Sequence, residues 1–109
     1  MEVLKAMGFN VVLQDEFGAQ IGSVDDPRCL LDKLLPTPGS DDYPFLGSID
    51  PYGDTTFNTL QMPRFLKEWT AVVSPSASTS EEQALVASVE LLARRCRDEV
   101  HVYLKFIGD

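Results

Sequence analysis

"VHVYLKFIG", residues 100–108, alternates along its length. Val100, Val102, Leu104 and Phe106 fall on one side of an extended chain, and His101, Tyr103, Lys105 and Ile107 on the other. A strand buried on one face must hand its amides and carbonyls to neighbouring strands, so this run predicts a sheet. Two stretches upstream have strand character. Residues 9–24 read as a β-hairpin, in which "FNVVLQD" is β-branched and apolar, "EFG" makes the turn, and "AQIGSV" returns. Gly18 is free to take the positive φ such a turn needs. "FLGSI", residues 45–49, reads as a further short strand.

The segments between follow helical spacing. "PRCLLDKLLP" predicts a short helix opened by Pro27 and closed before Pro36, with Leu30, Leu31, Leu34 and Leu35 on its apolar side. "TPGSDDYP", residues 37–44, is loop. "LQMPRFLKEWTAVV" gathers Phe65, Leu66, Trp69, Val72 and Val73 on one face, and Pro63 is tolerable only close to the first turn. After the small-residue loop "SPSASTS", Thr79 and Glu82 form a capping-box pattern. Leu85, Val89, Leu92 and Cys96 then make a stripe that Val86 and Ala93 widen, and Arg94, Arg95 and Arg97 complement the dipole at the helix end. The expected fold is a single α+β domain over residues 1–109. A mostly antiparallel sheet carries about three helices on one face, in the order β-β-α-β-α-α-β.

Composition narrows the function. A chain of 109 residues with 44% hydrophobic and 24% charged residues is globular, not disordered. Nine Lys/Arg against 17 Asp/Glu give a net charge of −8. Phosphate backbones and anionic membrane surfaces repel that charge, whereas a basic protein partner is drawn to it. No run reaches the roughly 20 apolar residues of a membrane span, and the start lacks the basic n-region of a signal peptide. Two cysteines, Cys29 and Cys96, are too few for a disulfide scaffold. A cytoplasmic protein with free thiols is expected. Beside Leu92, Cys96 reads as a buried inert thiol despite its arginine neighbours, and Cys29 beside Leu30 likewise.

"IDPYGDTTFNTLQ", residues 49–61, concentrates the polar residues of interest: Asp50, Tyr52, Asp54, Thr55, Asn58 and Gln61. Pro51 and Gly53 predict a sharp turn, Asp54 and Thr55 are suited to bond its free amides, and Asn58 or Thr59 to cap the following helix. Tyr52 and Gln61 have no evident turn or capping role. With Asp50 and Asp54 they make a candidate protein-binding loop, Tyr52 the anchor and the carboxylates the charges that meet a basic partner. Asp41, Asp42 and the carboxylate end at Asp109 are candidates to join them. The alternative is a metal-assisted hydrolase or small-ligand protein using Asp50 and Asp54 for a hard cation such as Mg²⁺ or Ca²⁺. The spacing matches no calcium-loop pattern, and no P-loop, GxGxxG, GxSxG, HExxH or CxxC is present, so no cofactor is implied. The single histidine, His101, falls on the outer side of the last strand. A homodimer through the sheet face carrying Tyr103 and Ile107 is a third arrangement.

"IDPYGDTTFNTLQ" also resembles a motif, approximately Asp-x-Tyr-Gly-Asp-Thr-x-Phe-Asn followed by Leu-Gln, in small acidic uncharacterised bacterial proteins. Many of these close on a strand similar to "HVYLKFIGD". The resemblance covers about a fifth of the chain, Ile49–Gln61 and His101–Asp109. It implies a bacterial origin and an α+β fold, and it transfers no activity. The acidic, compact character is similar to that of toxin-neutralising immunity proteins.

Overall fold

Four antiparallel strands pair side by side in the computed structural model, which describes residues 9–108. They are β1 (Asn10–Gln14), β2 (Gln20–Asp25), β3 (Asp54–Phe57) and β4 (Tyr103–Ile107), in the order β2-β1-β4-β3. The hairpin forms as its sequence dictates. Gly18 takes φ 83°, and Asp15 Oδ1 accepts from the amides of Phe17 and Ala19, both at 2.9 Å. The closing strand β4 pairs with β1 on one side, where Gln14 faces Tyr103, and with β3 on the other, where Phe57 faces Leu104.

The helices pack on one face of this sheet, so the fold is α+β in the expected element order. Helix α1 (Leu30–Leu34) starts where the buried Asp26 carboxylate accepts from the amides of Leu30 and Leu31, at 2.9 and 2.8 Å. Helix α3 (Met62–Glu68) continues through a wide π-type turn, Trp69–Val73, into α4 (Ser74–Ser76). Pro75 has no N–H to donate and its ring crowds the regular helical carbonyl, so the turn just before it opens out. Ser74 N accordingly bonds back to Trp69 O. Helix α5 (Ser80–Asp98) begins with the expected reciprocal box: Glu82 N donates to Thr79 Oγ1, and Thr79 N to Glu82 Oε1.

Burial follows the stripes. Val11, Leu13, Leu104 and Phe106 from the sheet meet Phe65, Trp69 and Val73 from the α3 unit and Val86, Val89, Leu92, Ala93 and Cys96 from α5. Phe106 is the hub, with the rings of Phe9, Phe57 and Phe65 at 6.3, 6.0 and 5.8 Å. Trp69 is a core anchor stacked on Phe65 at 5.7 Å.

Two expectations are corrected. "FLGSI" is not a strand: Pro44–Gly47 forms the single helical turn α2, and the third strand lies further on at β3. The cause is distant in sequence. Glu68 on α3 accepts from Phe45 N at 3.1 Å and Leu46 N at 2.9 Å, which satisfies the first amides of a helical turn. The second correction concerns Val100, which is 76% exposed instead of sharing the buried side with Val102. His101 adopts φ 57°, so the alternation begins only at β4.

Candidate functional site

The segment from Asp50 to Gln61 spans β3 and the turns at its two ends, and the structure separates its polar residues accordingly. Before β3, Pro51 and Gly53 set a tight turn. Asp50 Oδ1 accepts from Tyr52 N at 2.8 Å, and Asp50 N donates to Thr55 Oγ1 at 2.9 Å. Gly108 N donates to Gly53 O at 2.7 Å, which lays the turn flat on the end of β4. Contact there is so close that a Cβ on Gly108 would stand 2.6 Å from Asp50 O and from Pro51. Tyr52 projects from this turn and is 75% exposed. Asp54, expected to accept from the turn's amides, leaves that role to Asp50 and instead pairs with Lys105 across the β3–β4 ladder at 3.4 Å.

After β3, the polar residues are used up by the backbone. Asn58 Oδ1 accepts from Gln61 N at 3.1 Å, and Gln61 Oε1 accepts from Asn58 N at 2.9 Å. The expectation that Gln61 has no capping role is overturned: Asn58 and Gln61 have the same three-residue spacing as Thr79 and Glu82, and their reciprocal box opens a 3-10 turn, Thr59–Gln61, ahead of α3. Thr59 Oγ1 donates to Arg97 O at 3.0 Å and fastens this turn to the end of α5. Thr55 and Asn58, the nearest members of the two groups in sequence, are three extended residues, about 10 Å, apart. Asp50, Tyr52, Asp54 and Thr55 thus stand at one end, and Asn58 and Gln61 at the other.

The remaining candidates lie elsewhere. Asp42 lines a groove of about 240 Å³ with Tyr43, Arg64, Lys67 and Glu68, and Asp41 is exposed beside it. Asp109 lies outside the described residues. Among the described residues no three His, Cys, Asp or Glu side chains group in a way that would hold a metal ion. Among the described residues Asp50 and Asp54 have no third ligand, and Asp54 already faces a lysine. Tyr103 and Ile107 are half-buried on the sheet face away from the helices.

Cysteine chemistry is suppressed at Cys96. Burial pushes the Cys96 thiol up to about 11, and it donates to Val102 O at 3.4 Å. The arginines near it are spent on acids: Arg94 on Glu90, Arg95 on Glu99 and Arg97 on Asp98, each at 2.7 Å. Cys29, expected to be buried as well, is instead only half-buried, in a left-handed conformation, φ 59°, ahead of α1.

Sequence reasoning passed over a group of apolar residues. Phe17, Leu60 and Val100 are 86%, 85% and 76% exposed, far more than any role in a core allows. Leu60 and His101 also share the walls of a groove of about 220 Å³ with Asn58, Thr59, Val102 and Tyr103. Nothing in "NTLQ" or "EVHV" marks Leu60 or Val100 as outward, because both sit in apolar patterns. No helix among the described residues is long and apolar enough to cross a membrane. No protein-family model, curated protein or solved structure matches the chain.

Proposed function

We propose that the chain is a small acidic bacterial protein of the cytoplasm that works by binding, engaging a basic protein partner through the Asp50–Gln61 segment. An immunity-like or regulatory protein that covers a basic enzyme is the kind of molecule this describes. The observation that carries the proposal is Tyr52. A turn held by Asp50, Thr55 and Gly108 keeps this large side chain 75% exposed, where it adds nothing to the core. A rigid turn lowers the entropy lost on docking, and tyrosine is among the side chains that dominate interface energies. The net charge of −8 raises the rate of encounter with a basic surface.

The test is capture from an extract of the source cells on immobilised protein, washed at low and then high salt. A stoichiometric basic protein should be retained by the wild type and released by salt, and the double variant Tyr52→Ala, Asp54→Asn should lose it. Equal capture by wild type and variant would refute the role given to this segment.

A further inference from the structure

The turns that carry the three exposed apolar side chains lie at one end of the sheet. Phe17 tips the β1–β2 hairpin, Val100 lies in the turn leading into β4, and Leu60 lies in the turn leaving β3. β1 meets β4 there at Gln14–Tyr103, and β4 meets β3 at Leu104–Phe57. The turns therefore follow one another along a rim, and strands about 4.8 Å apart bring their roots within about 10 Å. Two of the three turns are fixed by side-chain bonds: Asp15 grips the hairpin tip, Asn58 and Gln61 cap the 3-10 turn, and Thr59 ties that turn to Arg97 O. Large apolar side chains on fixed, protruding turns have the form of a recognition surface.

Charge says what covers it. Arg95 and Arg97 are held by Glu99 and Asp98. Asp15 and Glu16 flank Phe17 and form no ion pair with another described residue. The rim is thus apolar along its length and negative at the hairpin corner, where Asp15 and Glu16 stand. A second copy of this chain would bring its own −8 against that corner. We propose that the rim of Phe17, Leu60 and Val100 docks a protein whose apolar ridge is flanked by Lys or Arg. This rests on the reading that the chain binds a basic partner, and it moves the principal contact from the Tyr52 end of the segment to the Leu60 end.

The probe is a synthetic amphipathic helix with leucines along one face and lysines along the other, titrated into the isotope-labelled protein and followed by NMR. Saturable shifts should centre on Phe17, Leu60, Val100, His101 and Tyr103. The triple variant Phe17→Ser, Leu60→Ser, Val100→Ser, altered only at exposed positions, should bind about tenfold more weakly or worse. Unchanged affinity in that variant overturns the rim. If Tyr52→Ala with Asp54→Asn loses binding instead, the basic-partner reading stands and the rim falls. If the helix shows no saturable binding at all, the rim falls, and the basic-partner reading is decided by the capture experiment.

Discussion

The two ends of β3 spend similar polar residues on backbone amides and leave different side chains in solvent. Ahead of the strand, Asp50 and Thr55 brace a turn whose aromatic residue, Tyr52, is left in solvent. Behind it, Asn58 and Gln61 close a helix cap and leave an aliphatic residue, Leu60, outside. At both ends the polar cluster that attracts the eye in the sequence is consumed by backbone amides. What remains over for a partner is apolar. Buried or turn-bound amides need acceptors, so a dense polar run is first a record of backbone bonding.

Substitutions at each end separate structural residues from spare ones. Gly108→Ala should do the greatest damage, because its Cβ meets the backbone of Asp50 and Pro51 and neither has room to yield. We expect a loss of about 1–3 kcal/mol in urea unfolding, on the scale of overpacking. Asn58→Ala opens the cap at the other end and should cost about 1 kcal/mol. Gln61→Ala added to it should cost little more, since the two side chains act as one box.

The neutral Asn58–Gln61 box also has an ionised counterpart at the start of α5. A hydrogen bond from Lys33, with further bonds from the Ser78 and Thr79 amides, lowers the Glu82 carboxyl from 4.5 to about 2. A carboxylate with a depressed folded-state pKa adds stability that is fully present above pH 4.5 and disappears as pH falls toward 2. Thermal unfolding across that window should show this slope in the wild type and a flatter one in Glu82→Gln. Asn58→Ala should leave the slope unchanged.

Much of the fold was legible because it is written locally. The hairpin turn at Gly18, the capping box at Thr79 and the stripe from Val86 to Cys96 each follow from a few neighbouring residues. Elements fixed from a distance were not. Residues 45–49 look extended until Glu68, on another helix, caps them. The break before β4 rests on a non-glycine residue, His101, in a left-handed conformation that sequence gives no reason to expect. The candidate site was half legible for the same reason. Its turn and cap chemistry could be read from "DPYGDTTFN", whereas the meeting of Phe17, Leu60 and Val100 exists only once strand order places three separate turns at one rim.

Leu60 decides between a structural and a recognition role most directly, because it belongs both to the capped 3-10 turn and to the proposed rim. Unfolding free energy and affinity for the leucine–lysine helix should be measured side by side for wild type and Leu60→Ser. Stability within about 0.5 kcal/mol of wild type, with clearly weakened binding, is the predicted result. Lost stability with unchanged affinity would contradict it, and would make Leu60 one more part of the cap it follows.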